Sequence, residues 1–255
     1  MKRGWVVAAG AVALSVVVPG VAFAGSNGAS FDSSTATGAG CRANFSGAQQ
    51  KVEQAISARV TRIQLLQNRV ANAKYLTSSD ASALGADLSN QMSGMQALET
   101  KVKGDTTCAE LRTEAVTGIR DYRVYEVMTP QVDLVVASDA EAGVEQFVSS
   151  LEPRIQQALG ACTGCAGAEQ VFGELQSKLT AAEQLTNSGV NGQSVSSAVL
   201  AVTPQGYPGN RSILIEAHTA VVQVRGDLGA IRGYLHSLVS DLVPRRGRGG
   251  STTTA

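Results

Sequence analysis

The sequence predicts an all-α protein, an elongated bundle of antiparallel helices, for three reasons. Apolar residues recur at spacings of three and four along most of the chain, which is the period of an amphipathic helix. Aromatic residues make up only 4% of the chain, a composition that favours slender, closely packed helices over a thick core. The last helical segment, from Leu214 to Leu242, keeps this spacing through four heptads.

The N-terminal segment has the three-part layout of a cleavable signal peptide. Lys2 and Arg3 precede an apolar run over residues 5–18, and small residues follow at 22–24. The apolar run of about 14 residues is shorter than the roughly 20 that a membrane-spanning helix needs. We therefore predict a signal peptide over residues 1–24 and a secreted protein, extracellular or associated with the cell wall, without stable membrane insertion.

Composition divides the rest of the chain into three parts. Residues 25–40 are rich in Ser, Gly, Ala and Thr and predict a flexible linker. Residues 41–243 form the predicted helical bundle, and residues 244–255 form a predicted disordered tail. Without the signal peptide the chain has 19 basic and 21 acidic residues and no basic stripe, which excludes nucleic acid as a partner.

Two long helices at the start of the bundle predict a helical hairpin. The first begins with Ser46 as N-cap, and a turn follows at residues 76–79. The second ends at Gly104. Their apolar faces consist of Val52, Ile56, Val60, Ile63, Leu66, Val70 and Ala73 in the first helix, and Ala81, Leu84, Leu88, Met92, Met95, Leu98 and Val102 in the second.

The four cysteines predict two disulfides, because an even number after an export signal is typical of an oxidising compartment. Three pairings are possible. Cys41 precedes the first helix and Cys108 follows the second, so both lie at the open end of the hairpin, and we predict that they pair. Cys162 then pairs with Cys165. Closing the longer loop stabilises the fold by roughly 4 kcal/mol in the chain-entropy model.

Proline positions divide the middle of the chain. A third helix is predicted from Glu110 to Met128, and Pro130 predicts a kink or short break at Thr129. Helical spacing resumes at Val132, and Pro153 inside it predicts a bent or split fourth helix. We expect one domain whose two hairpin-like halves join near Pro130.

Two further helices complete the prediction. A fifth helix spans residues 168–186, and the stretch to Pro208 is loop with room for one helical turn. The last helix, of about 42 Å, has a regular apolar seam that could pair with a second copy, so a homo-oligomer is one prediction. The seam comprises Leu214, Ala217, Val221, Val224, Leu228, Ile231, Leu235, Leu238 and Leu242.

Cys162 and Cys165 have the spacing of a redox dithiol and stand just before a helix, whose N-terminus would lower a thiol pKa. No thioredoxin-like strand precedes them, so we favour a local structural disulfide. A closed zinc site needs four ligands. The two histidines, His218 and His236, lie roughly 27 Å apart on one helix, so we predict no metal and no cofactor.

No sequence signature of an enzyme is present. The chain has no Gly-x-Ser-x-Gly motif, phosphate loop or dinucleotide fingerprint. We interpret carboxylates such as Asp139 and Glu141 as those of a solvated helical surface. The sequence therefore predicts no catalytic residue and no enzymatic activity.

The segment from Asp121 to Pro130 holds two of the five tyrosines and several charges beside a predicted helix break. Tyr122, Arg123 and Tyr125 could form an interaction patch. We favour the other interpretation, in which the tyrosines cover the kink and Arg123 pairs with a carboxylate.

This segment, with residues 132–139 and Val199-Leu200-Ala201-Val202-Thr203-Pro204, resembles a group of secreted helical proteins from high-GC Gram-positive bacteria. The resemblance covers most of the mature chain, implies an exported helical bundle and supplies no site. Our leading hypothesis is a non-enzymatic structural or interaction protein of the cell envelope, with another protein or wall polymer as partner. The alternative is an extracytoplasmic thiol-disulfide exchange protein that uses Cys162 and Cys165.

Overall fold

A computed structural model of the chain describes residues 39–242. The predicted signal peptide, most of the predicted linker and the predicted tail lie outside these residues. The last two residues of the predicted linker are described and are helical, because they begin the short helix that contains Cys41. The predicted linker therefore extends too far by two residues.

The described residues form helices joined by short turns, with no strand among them, and the helices pack against one another. The predicted all-α bundle is confirmed. In chain order the elements are α1 (Ala39–Ala43), α2 (Phe45–Ala71), α3 (Ser78–Gly104), α4 (Cys108–Arg120), a π-helical turn (Val124–Met128), α5 (Thr129–Gly160), α6 (Ala166–Ser188), α7 (Val195–Leu200), a 3-10 turn (Pro204–Gly206) and α8 (Arg211–Leu242).

Polar side chains fix where the helices of the hairpin begin. The N-cap of α2 is Asn44, not Ser46 as predicted, and its Oδ1 accepts the backbone N–H of Gly47 at 2.9 Å. Ser46 instead lies within the first turn. Thr77 caps α3, and Thr107 forms a reciprocal capping box with Glu110 at the start of α4.

Both predicted disulfides are present. Cys41 and Cys108 join α1, just before α2, to the start of α4, with their Cα atoms 6.0 Å apart, and Cys41 is fully buried. Cys162 and Cys165 close the turn between α5 and α6, with Cα atoms 5.8 Å apart. The first bond therefore staples the open end of the α2–α3 hairpin, as its predicted pairing requires.

The helix break falls before Pro130 and not at Thr129 as predicted. It occupies residues 121–123, where Arg123 takes a left-handed conformation with φ of 35°. The π-helical turn then leads directly into α5, and Thr129 is helical, its backbone N–H donating to the Val124 carbonyl. Pro130 lies in the first turn of α5, where a missing N–H leaves no helical hydrogen bond broken.

Helix α5 runs unbroken through Pro153, so of the predicted bend or split, the split is wrong. The proline is exposed to solvent, and the Ser149 carbonyl that it deprives of a helical donor lies on the same side of α5. Water can satisfy that carbonyl, which removes most of the penalty for a proline in this position.

Two hydrophobic cores share helices α5 and α8. The first core unites α2, α3, α4 and α7 with the N-terminal parts of α5 and α8. The second unites α6 with their C-terminal parts. On α5 the boundary lies between Ala137 and Val148, well past Pro130, because α5 continues from one core into the other.

The predicted apolar seam of α8 packs within the chain. Its first four residues and Ile231 and Leu238 are buried, and the remaining leucines are half-buried. They lie against α5 and α6 in the two cores. The seam is therefore already occupied, and any self-association through α8 must use a different face of this helix.

Candidate functional sites

Helix α5 carries four buried carboxylates, one beside the first core and three at the boundary between the two cores. Asp133 and Asp139 are 9% and 7% exposed, and Glu141 and Glu145 are each 3% exposed. Asp133 pairs with Arg69 of α2, yet burial raises the pKa of Asp133 above its usual range. Each of these acids contacts a different neighbouring element.

Asp139 connects three elements. Its Oδ2 accepts the backbone N–H of Thr77 at 2.9 Å, and its Oδ1 accepts the hydroxyl of Ser196 at 2.8 Å. Thr77 is the N-cap of α3 and Ser196 lies in α7. Burial raises the pKa of Asp139, although both hydrogen bonds favour its charged form.

Glu141 and Glu145 follow Asp139 on α5 and lie one turn apart from each other. Glu141 accepts a hydrogen bond from Nε of Arg225 in α8 at 2.8 Å, and Glu145 accepts one from the hydroxyl of Thr186 in α6 at 2.7 Å. Burial raises the pKa of Glu141 to about 7, and Arg225 offsets only part of this shift. Burial also raises the pKa of Glu145, to which the nearby Glu183 adds.

The interpretation of Asp139 and Glu141 as solvated surface carboxylates is therefore wrong. A helix that is covered on most of its circumference turns even its polar positions toward other helices. One feature of the sequence indicated this burial. Apolar residues adjoin each acid between Val132 and Ala142, as in a helix that is buried on most of its faces. This arrangement allows Glu141 to hold a proton inside the fold up to a pH of about 7.

The three residues of the predicted interaction patch are half-buried and contact the bundle. The ring of Tyr125 lies under the Arg59 guanidinium at 5.5 Å, and Arg123 lies over the ring of Tyr207 at 4.8 Å. Tyr122 packs against Gly94, where an added Cβ would come within 2.5 Å of its ring. These contacts favour the packing interpretation, with an aromatic ring instead of a carboxylate as the partner of Arg123.

The Cys162–Cys165 disulfide lies at the N-terminus of α6, and both residues are half-buried. Cys165 is the N-cap residue of α6, and its carbonyl accepts the backbone N–H groups of Ala168 and Glu169. Its side chain packs against the second core. This disulfide therefore closes a turn and is also partly accessible to solvent.

Among residues 39–242, no group of three or more His, Cys, Asp or Glu side chains could hold a metal ion. His236 is exposed, and His218 is half-buried. No helix in this part of the chain combines the length and the apolar character needed to cross a membrane.

A pair of exposed aromatic side chains lies beside the boundary between the two cores. Tyr75, in the α2–α3 turn, is 50% exposed, and Phe147 of α5 is 38% exposed. The ring of Tyr75 lies over Gly143 of α5, where an added Cβ would be 3.2 Å from its Cδ1. Phe147 follows Gly143 by one turn on the same face of α5. The ammonium group of Lys74 lies 5.3 Å from the centre of the Tyr75 ring.

Sequence reasoning did not identify this Tyr75–Phe147 surface. The two aromatic residues are 72 positions apart and become neighbours only when the hairpin docks on α5. No family model matches this chain, and no curated protein or solved structure is significantly similar to it.

Proposed function

We propose that this chain is a secreted, non-enzymatic interaction protein of the cell envelope that binds wall polymer through the Tyr75–Phe147 surface. The observation that supports this proposal is the exposure of two large aromatic rings at a fixed point of a disulfide-stapled helical fold. This protein buries most of its large apolar side chains in two cores. Large apolar side chains that remain exposed beside such cores are typical of a contact site.

Sugar polymers match the chemistry of this surface. The faces of sugar rings carry C–H groups that stack on aromatic rings, and two rings along one helix face can contact successive sugars. Lys74 adds a positive charge beside Tyr75 for the anionic groups of a wall polymer.

The surface is also held in place before any ligand binds. The backbone of the α2–α3 turn is anchored to α5 by the hydrogen bond from Thr77 to Asp139, two residues from Tyr75. The close contact with Gly143 fixes the ring against α5. A preorganised surface loses less conformational entropy on binding, which supports a binding role for these rings.

Co-sedimentation with purified, insoluble Gram-positive cell wall tests the proposal. We expect the mature protein to sediment with the wall, and the double variant Tyr75→Ala, Phe147→Ala to bind at least about tenfold more weakly. Leu65→Ala is the matched control, because Leu65 is 55% exposed on α2 and lies outside this surface. Equal binding by all three proteins, or binding by none, would rule the proposal out.

Thiol-disulfide exchange at Cys162 and Cys165 is the second candidate function. The observation that favours it is the partial exposure of this disulfide at the N-terminus of a 23-residue helix, which would stabilise a thiolate there. A mild dithiol reductant distinguishes the two functions. Reduction of this disulfide alone, followed by reoxidation with transfer of the disulfide to a substrate protein, would favour the exchange function.

A further inference from the structure

Helix α8 has a second face that its own chain leaves uncovered. Nine positions with alternating spacings of three and four are all exposed, from one end of the helix to the other. We call them the outer face of α8: Ser212, Ile215, Thr219, Val222, Gly226, Gly229, Gly233, His236 and Ser240. This face lies opposite the seam that packs into the two cores.

The outer face is unusual for a helix in contact with water. It contains no acidic, lysine or arginine side chain over about 42 Å, whereas the exposed side of α6 carries Glu169, Glu174 and Lys178. Ile215 and Val222 are 48% and 50% exposed, one heptad apart. These are the features of a helix face that packs against another helix.

The glycines allow a partner helix to approach closely. A Cβ added at Gly226, Gly229 or Gly233 would meet no atom within 4 Å. Each glycine in an exposed helix costs about 0.5–1 kcal/mol relative to alanine. The three glycines therefore lower the stability of α8 in the single chain. Their role would be to let a second helix approach α8 closely.

We propose that two copies of this chain pair in parallel through the outer faces of their α8 helices. The charged residues on either side of this face favour a second copy as the partner and a parallel orientation of the two helices. In a parallel pair a residue on the Arg211 flank of one helix meets the residue five positions later on the opposite flank of the other helix. Arg211 of one copy then meets Glu216 of the other, and this contact forms twice because of the twofold symmetry.

An antiparallel pair is disfavoured by the same charges. It would bring the flank with exposed Arg211 and Arg232 against the same flank of the other copy, and Glu216 would face no cation. This pairing does not depend on the proposed wall binding, because the Tyr75–Phe147 surface lies on α5 and the α2–α3 turn.

Sedimentation velocity of the mature, oxidised protein over a concentration series tests the pairing. We expect a reversible dimer, and Gly229→Arg should weaken it by at least about tenfold because the new side chain fills the contact. Gly173→Arg is the matched control, since Gly173 is an exposed glycine of α6 that also has open space around it. This control should dimerise like the wild type.

A charge exchange tests the direction of pairing. Glu216→Arg should weaken the dimer, and adding Arg211→Glu should restore it, because the exchanged charges attract in a parallel pair. Circular dichroism confirms that each variant is folded. A wild-type protein that remains monomeric at all concentrations, or a Gly229→Arg dimer of wild-type strength, would overturn the proposal. Failure of the double exchange to restore the dimer would overturn the parallel arrangement.

Discussion

Individual buried side chains of α5 link elements that are distant in sequence. Glu141 binds Arg225 of α8, 84 positions away, and Asp139 binds both the α2–α3 turn and α7. Removing one partner of such a contact leaves a buried polar group unsatisfied, which costs about 1–3 kcal/mol or more for a charge. These residues thus act as connectors inside the fold.

The raised pKa of Glu141 makes stability depend on pH. Its pKa is about 7 in the folded protein against 4.5 for an ordinary glutamate, so the folded state holds the proton more tightly. The free energy of unfolding therefore falls as pH rises from about 4.5 to 7, by at most about 3 kcal/mol from this residue. Asp133, Asp139 and Glu145 add to this trend in the same direction.

Glu141→Gln tests this dependence, because glutamine resembles the protonated acid and does not titrate. We expect the variant to match the wild type at pH 5 and to have a higher free energy of unfolding at pH 8, measured by urea denaturation. Glu169→Gln on the exposed side of α6 should leave the wild-type pH dependence unchanged. A wild-type stability that rises from pH 5 to pH 8 would contradict the assignment.

At the residue scale the sequence predicted the cysteine pairs and missed the buried acids. The spacing of apolar residues predicts the hairpin. The position of each cysteine relative to that hairpin then predicts which cysteines pair. Burial of Asp139 and Glu141 depends on which helices cover α5, and helical spacing does not contain that information. The same limit applies to Tyr75 and Phe147, whose proximity is tertiary.

Among the helices, α5 joins the two hydrophobic cores because it contributes buried residues to both. Its first turns also cap a neighbouring helix. The fully buried Gln131 donates from Nε2 to the carbonyls of Val199 and Val202 at 3.1 and 3.2 Å, at the C-terminal end of α7. Carbonyls at a helix end need such donors when water cannot reach them.

Gln131→Met should destabilise the protein by about 1–3 kcal/mol, because methionine keeps the shape of the side chain and removes the donor. The matched control is Gln205→Met, since exposed Gln205 makes one hydrogen bond to the Asp121 carbonyl and water can replace it. Thermal or urea unfolding measures both. A Gln131→Met protein as stable as the control would show that α7 does not need this donor.

Most helix positions could be predicted, and the errors share a physical cause. The apolar spacing predicted α2, α3, α6 and α8 to within a few residues of their observed limits. In the middle of the chain, the helix break and the helix split predicted from the prolines were wrong. Pro130 begins a helix and Pro153 faces water, and sequence alone does not distinguish these tolerated positions from helix-breaking ones.

At the scale of the whole molecule, the two disulfides contribute unequally to stability. The Cys41–Cys108 bond spans 67 positions and the Cys162–Cys165 bond spans 3. In the chain-entropy model they stabilise the fold by about 4 and about 2 kcal/mol, because a longer loop restricts the unfolded chain more.

Paired serine substitutions test this difference. Cys41→Ser with Cys108→Ser should lower the free energy of unfolding by about 2 kcal/mol more than Cys162→Ser with Cys165→Ser, measured in urea. The first pair should also loosen the open end of the α2–α3 hairpin, seen as faster amide hydrogen exchange in α2 and α4. A larger loss from the second pair would contradict the assigned roles.

The Tyr75–Phe147 surface and the outer face of α8 belong to different elements, so pairing through α8 should strengthen the proposed wall binding. A dimer joined through α8 presents two Tyr75–Phe147 surfaces, and two linked contacts with one polymer bind more strongly than either alone. Removing dimerisation by Gly229→Arg should therefore weaken retention on insoluble wall without changing the affinity for a short soluble wall fragment.

Amide chemical-shift mapping shows whether the Tyr75–Phe147 surface binds wall polymer. The isotopically labelled protein without residues 1–24 is titrated with soluble peptidoglycan fragments. We expect perturbed amides at residues 74–76 and 143–147, and we expect these perturbations to be lost in the double variant Tyr75→Ala, Phe147→Ala. Perturbation confined to residues 160–167 around the second disulfide, or no perturbation at saturating fragment, would contradict binding at this surface.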